Sequence, residues 1–407
     1  MSKFAGINNA EISSGQAAKI LIMFAQGSAA LILPSAVTAI AKQDGWLSML
    51  IAGPFNYFIL LVYLALADRF PNMSLAQYAE KIVGKWAGKA LTFIYILFFL
   101  LLSALVLRNI SDFMSLSVLP LTPEWFIDST FMLVVIYGVF LGIETIARTG
   151  EILFGWGMLV IVIIIFSLFN QFSFQNFEPV LYEGVLRPLK GVYPILGFPI
   201  GEFVFITAIL PLVRKQDRKK LRKSLKTSVL LITFLSVLIT VFLVGVMGVD
   251  ETSRSPFAVY DMAKNINIEE ILVRVEILVA MVWIGTVFMK LALCVYVLAV
   301  LTAQMLNLST YRTLIVPYAF IIVPLSLIAY RNVAHSRVFA MGVWTVYSLF
   351  HGFLLPFLLL MIAMIRKQRD SSDGGFPEIK PQKSQDAQQT DMTNEKIGTP
   401  DQEPAKA

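Results

Sequence analysis

The stretch VYPILGFPIGEFVFITAILPLV, residues 192–213, is long and apolar enough to cross a bilayer, yet it carries Gly197, Pro199 and Gly201 at its centre and Glu202 directly after them. A crossing needs about 20 apolar residues, and in hydrocarbon every backbone polar group must find a partner within the protein. Proline lacks an N–H and pushes the preceding residue away from helical angles, so this helix is expected to break at membrane depth. KILIMFAQGSAALILPSAVTAI, residues 19–40, has a related design, with Gly27 and Ser28 in mid-run and Pro34 one to two turns later. A second break is expected there.

The rest of the chain is of the same apolar kind. Of 407 residues, 57% are apolar and 15% charged, with a mean hydropathy of +0.73, which excludes an ordinary soluble domain. Apolar runs fall at 15–41, 46–67, 90–107, 127–143, 152–170, 191–213, 227–248, 271–302, 313–329 and 338–365. The expected fold class is an all-α integral membrane protein of ten transmembrane helices. The interrupted runs are the first and sixth, so each opens a set of five, the pattern that two inverted five-helix repeats produce. Residues 1–14 then form a cytoplasmic N-terminus, 15–170 the first repeat, 171–187 an outside loop and 188–365 the second repeat. The plainer alternative is that Gly197 and Gly201 make a small-residue packing face, as Gly138 and Gly142 would in the fourth run. The polar start MSKFAGINNAEISSGQ lacks the charged head and cleavage site of a signal peptide, so the first run is expected to be retained.

Orientation follows from Lys and Arg in the short loops. With the N-terminus inside, inside segments carry 18 and outside segments 8, so both termini are expected to be cytoplasmic. Eight of the 18 lie between Arg214 and Lys226, a stop signal before it is an anionic-lipid site. The pI near 9.2 reflects these blocks between apolar runs, which argues for membrane lipid and against nucleic acid as a partner. From Arg366 the chain turns rich in Gln, Asp, Lys, Pro and Ser, and 366–407 is expected to be a disordered tail. The single cysteine, Cys294, allows no intrachain disulfide.

Ionisable groups inside apolar runs are costly and usually face a cavity or a partner. Glu202 follows the break in the sixth run, and Lys290 lies in the eighth, where Trp283, Thr286 and Lys290 share one helical face. Glu202 would serve either a ligand or the backbone freed by the break. Lys290 would pair within the bundle, with the unwound carbonyls of 25–28 or with Glu202. Lys19, Arg108 and Arg274 sit near run ends and are expected to snorkel, and His351 is expected to be a satisfied structural residue before a proton relay. No phosphate-binding loop, dinucleotide turn or HExxH is present and there are two histidines, so neither an enzyme nor a cofactor is expected.

In order and spacing, several segments resemble one family. They are LILPS (31–35), QDGW (43–46), RFPNMSLAQYAEKIVGKWAGK (69–89), LPLTPEW (119–125), GIETIARTGEIL (142–153), FPIGE (198–202) and WIGTVFMK (283–290). Together they resemble the B subunits of endospore germinant receptors, within the amino acid/polyamine/organocation superfamily. The resemblance implies a LeuT-type fold, residence in the spore inner membrane, assembly with A and C subunits, and sensing of an amino acid or other small nutrient. The resemblance does not extend to a role for Lys290, which stays open.

Joined to the residue reading, this places a ligand at midplane between the first and sixth helices, walled by the third and eighth. The expected contacts are Gln26, Gly27, Ser28, Ser103, Phe198, Gly201, Glu202 and Thr286. Freed N–H groups near Gly27 and Phe198–Gly201 would hold a carboxylate, and Glu202 or Thr286 an ammonium or hydroxyl. Lys290 and Glu202 would form an ion-site mimic or a proton path. A proton-coupled amino acid transporter is the alternative, and a purely structural scaffold a third reading.

Overall fold

The computed structural model describes residues 10–266 and 274–369. Apart from one β-bridge, between Ile12 and Val213, its regular elements are helical. Helix α1 (Ser14–Ala41) opens on a capping box in which Ser13 and Gln16 each satisfy the other's backbone N–H. It turns at Lys42–Asp44 into α2 (Gly45–Arg69). A second capping box, Ser74 with Gln77, starts the short α3 (Leu75–Val83). Gly84, at φ 92°, ends α3 and opens α4 (Lys85–Phe113). Gly142, at φ 93°, alone separates α5 (Glu124–Leu141) from α6 (Ile143–Leu168). Both positions need positive φ, which glycine adopts without steric cost.

The second half begins with α7 (Leu186–Gly197), followed by a 3-10 segment (Ile200–Phe205) and the single turn α8 (Ile206–Ile209). Then come α9 (Arg218–Arg254), α10 (Ala258–Lys264), α11 (Glu276–Leu306), α12 (Ile315–Ala329) and α13 (Val333–Met341). Last are α14 (Val343–Leu349), a π-helical turn (Phe350–Leu354) and α15 (Leu355–Ile365).

Among the described residues, nine helical stretches are long and apolar enough to cross a membrane. The first of these, Ala29–Arg69, is 41 residues long and takes in the second half of α1 and all of α2. Where they are described, the ten expected apolar runs fall on helix except at Gly142, at Phe198 and Pro199, at Val213, at Arg274 and Val275, and at Gly342; 271–273 and the tail from 370 onward lie outside the described residues. Two short helices, α3 and α10, and the first half of α13 stand where the sequence reading has loops.

One expectation is corrected. The first helix is not interrupted at Gly27, because α1 is helical from Ser14 to Ala41 with Pro34 inside it. Gly27 serves close approach: a Cβ there would lie 2.8 Å from Lys290 Cβ and 2.9 Å from the Thr286 carbonyl. Its missing side chain lets α1 and α11 touch, and a lone glycine costs a helix only about 1 kcal/mol.

Helix α11 is the core. Every residue from Met289 to Ala303 is buried, and the helix packs on α1, α4, α5 and α6. It is apolar on all sides, the pattern of a helix surrounded by protein. In contrast, α6 and α12 present Ile152, Leu159, Phe166, Phe320 and Ile328 outward, where lipid would cover them. At the basic end of the bundle, Ile12 exchanges backbone hydrogen bonds of 3.0 Å with Leu212 and Arg214. This pins the entry to α1 against the exit of the interrupted sixth segment.

Candidate functional site

Pro199 decides where the sixth segment breaks. Phe198 before it is extended, at φ −140° and ψ 108°, so α7 ends at Gly197. The carbonyl left free on Gly197 accepts the Ser348 hydroxyl at 2.7 Å. Gly201 faces Ser348 as well, where a Cβ would come within 2.7 Å of the hydroxyl, and a Cβ on Gly352 would collide with the Gly201 carbonyl. The freed Gly197 carbonyl is thus satisfied from α14, and the two glycines of the break are contact points with α14 and the π-helical turn.

The turn directs Glu202 inward. Its carboxylate is 1% exposed and accepts Lys290 Nζ at 2.6 Å on one oxygen and the Trp344 indole N–H at 2.9 Å on the other. Lys290, fully buried on α11, has the Phe24 and Phe198 rings 5.1 Å and 4.7 Å from its ammonium, within cation–π range. Of the partners open to Lys290 in the sequence, the structure pairs it with Glu202. Burying an ion pair costs several kcal/mol per ion before attraction and hydrogen bonds offset it, and here the carboxylate has two donors and the ammonium one acceptor and two ring faces.

One cavity borders Glu202 and Phe198 and a separate one borders Gln26 and Thr286, so the expected contacts are not gathered in one pocket. The first, narrow and of about 40 Å³, is bordered by Ile32, Asn109, Phe198, Glu202, Arg337 and Trp344. It shares Ile32, Asn109, Ser336 and Arg337 with a wider chamber of about 250 Å³ that reaches Asp112 and Arg254. The basic block starts α9, and Arg254 lies one short stretch beyond a kink at Gly248 (φ 74°) near its other end, so this chamber lies at the end opposite the basic block. The other cavity, about 100 Å³ and almost wholly apolar, is bordered by Gln26 and Thr286 with Met23, Phe154, Phe242 and Trp283. Gly27 borders neither cavity and lies at the α1–α11 contact. Thr286 and Ser103 direct their hydroxyls to carbonyls of their own helices, Trp283 at 2.8 Å and Phe99 at 2.7 Å, and Ser103 borders neither cavity. The side chain of Ser28 lies outside the described residues.

The sequence reading passed over Trp344 and Phe24. Trp344, Ser348 and His351 recur at spacings of four and three, a helical stripe that would have marked the α14 face turned to the break. Phe24 lies one turn before Gly27 on α1, the spacing that puts it beside the same contact. His351 is a structural residue in its surroundings: Nδ1 is 2.7 Å from the Tyr347 carbonyl and the ring stacks on Phe98 at 4.6 Å. Arg108 does not snorkel. It is buried, with Asp112 at 2.8 Å on its own helix and Glu124 of α5 at 2.9 Å, because the i+4 carboxylate meets it before it could turn to water. Lys19 pairs with Glu151 at 2.8 Å, half-exposed. Arg337 bridges elements at the wider chamber, donating to the Ser35 carbonyl at 3.1 Å and the Ser253 carbonyl at 2.9 Å.

This bundle has known counterparts. A solved structure of MhsT in complex with L-phenylalanine matches with a TM-score of 0.60 at 15% identity, over 87% of this chain and 99% of that one, which gives the fold as LeuT-type. Spore germination protein KB of Bacillus subtilis (strain 168) is 29% identical over 376 residues, covering 91% of this chain and 99% of the relative. Spore germination protein YndE of the same organism is 25% identical over 367 residues, covering 88% and 98%. Residues 11–334, from just before α1 to the start of α13, match the family described as spore germination protein. A multi-pass membrane bundle of this fold, matched over most of its length, belongs to the spore germination protein family.

Proposed function

We propose that the chain is the permease-like, nutrient-sensing subunit of a spore germinant receptor, binding an amino acid or other small nutrient to trigger germination. The observation that carries this reading is the position of Glu202: a buried carboxylate at a helix break, at the foot of a passage from the wider chamber. Polar groups of this kind within membrane spans usually mark a ligand or ion path. The finer picture comprises ten crossings, halves at 15–170 and 188–365, and cytoplasmic termini. It places the protein in the spore inner membrane with A and C subunits. The 18 to 8 charge bias supports the orientation, and family membership supports the setting. The nutrient lies on the Glu202 side, near Phe198 and Trp344, with Gln26 and Thr286 bordering a separate apolar recess.

Spores carrying Glu202→Gln together with Lys290→Met in this subunit, which leaves neither charge buried without a partner, should lose their nutrient response while the subunit keeps its abundance in the membrane. A full response in that variant would overturn the reading.

A proton-coupled amino acid transporter is the second reading, favoured by the buried Lys290–Glu202 pair, since two ionisable groups 2.6 Å apart are suited to pass a proton. Reconstituted vesicles separate the two. A sensor binds a labelled amino acid without net uptake, whereas a transporter accumulates it when a proton gradient is imposed.

A further inference from the structure

The Glu202–Lys290 pair has the make-up of a ligand site whose ligand is supplied by the chain. The Lys290 ammonium lies 2.6 Å from one Glu202 oxygen, with the Phe24 and Phe198 rings at 5.1 Å and 4.7 Å. A carboxylate with aromatic faces is how proteins hold free ammonium groups.

Two observations set it apart from an ion pair that only joins helices. Glu202 rides on a 3-10 segment between the end of α7 and the single turn α8, so its backbone belongs to no long helical ladder. And Glu202 borders the narrow cavity that leads to the wider chamber, whereas Lys290 does not. A solute coming from that side meets the carboxylate first and the lysine behind it. The buried Arg108–Asp112 pair differs in this respect, since its two members are four residues apart on one helix.

We propose that Glu202, Phe24 and Phe198 form a primary-ammonium site that Lys290 fills, and that an amine-bearing nutrient acts by drawing Glu202 away from Lys290. This rests on the reading of the chain as a nutrient sensor, and it names the ligand class as small molecules with a free primary ammonium. A sugar or an N-acylated amino acid has no group with which to compete. A displaced Lys290 is a buried cation without a partner, an arrangement that is unfavourable in a membrane. Exchange therefore shifts α11 against the broken segment, which couples binding to a change of conformation.

The test uses the full-length chain in lipid nanodiscs and reads thermal unfolding. Lys290→Ala removes the equivalent of a propylammonium group. n-Propylammonium chloride at millimolar concentration is expected to raise the Tm of Lys290→Ala by several degrees, n-propanol is not, and neither should move the native chain. Equal effects of amine and alcohol, or an equal effect of the amine on native and variant, would overturn the proposal. Lys290→Gln keeps a hydrogen-bond donor for Glu202, so it does not depend on how well the alanine variant folds. Against the standard L-amino acids, their N-acetyl derivatives and D-glucose, the amino acid that binds the native chain should bind Lys290→Gln about tenfold more tightly, and its N-acetyl derivative should not bind. Unchanged affinity in Lys290→Gln, binding that survives N-acetylation, or binding of glucose alone would overturn the competition and leave nutrient sensing in place. Binding of none of these compounds, with no rescue by n-propylammonium, would overturn both.

Discussion

Residues 19–40 and 192–213 are built from the same parts, yet α1 stays helical through Gly27 while the sixth segment ends at Gly197 and resumes only after a 3-10 stretch. Both contain prolines and glycines in an apolar run. The difference lies in which side chains meet the glycines. Gly27 is pressed against the Lys290 stem and the Thr286 carbonyl of α11, a contact that regular helix makes best. Gly197 and Gly201 meet α14 and the π-helical turn, and Ser348 takes up the carbonyl that Phe198 leaves free by turning extended. A helix breaks in a membrane where a neighbour is positioned to satisfy what the break exposes.

The contrast is tested most strongly at the glycines. Gly27→Leu should cost most of the folded protein, measured as membrane abundance and Tm, because its Cβ meets backbone of α11 that cannot give way. A well-folded Gly27→Leu would mean that α1 is not held against α11 as described. Next in size is the charge that the break holds. Lys290→Met should lower stability by about 3–5 kcal/mol, since it leaves Glu202 buried and unpaired, and adding Glu202→Gln should recover most of that loss. A double variant as unstable as the single one would show that the lysine stem, rather than its charge, matters.

The prolines divide the two segments more finely. Pro199→Ala frees Phe198 to become helical and is expected to weaken ligand binding about tenfold, or 1.4 kcal/mol, whereas Pro34→Ala should leave binding unchanged because the helix already runs through it. Equal effects at both sites would erase the distinction. Smallest are the hydroxyls. Ser348→Ala removes the partner of the free Gly197 carbonyl and should cost about 1–3 kcal/mol, against about 0.5 kcal/mol for Ser35→Ala, whose 3.1 Å bond goes to the Ile32 carbonyl within an intact helix. Urea or thermal unfolding of the two variants side by side gives the comparison directly.

Apolar run length and charge placement are local properties of the chain, and they were enough to reveal a polytopic helical bundle, the break at Gly197–Glu202 and the two ionisable residues that the structure pairs there, Glu202 and Lys290. Bilayer thickness and the need to satisfy each backbone group leave few other readings of such a sequence. Which groups meet is a different kind of question. That Glu202 faces Lys290 and Trp344, that Phe24 completes the ammonium's surroundings, that Arg108 also reaches Glu124 of α5, and that Gln26 and Thr286 border a different cavity from Phe198 all depend on how distant helices pack. Lys290 and Glu202 are 88 residues apart, and Trp344 is 142 from its carboxylate partner. No local pattern encodes those meetings. The intact first helix is the clearest case, because Gly27 could break a helix or bring two together, and only the presence of α11 beside it selects the second.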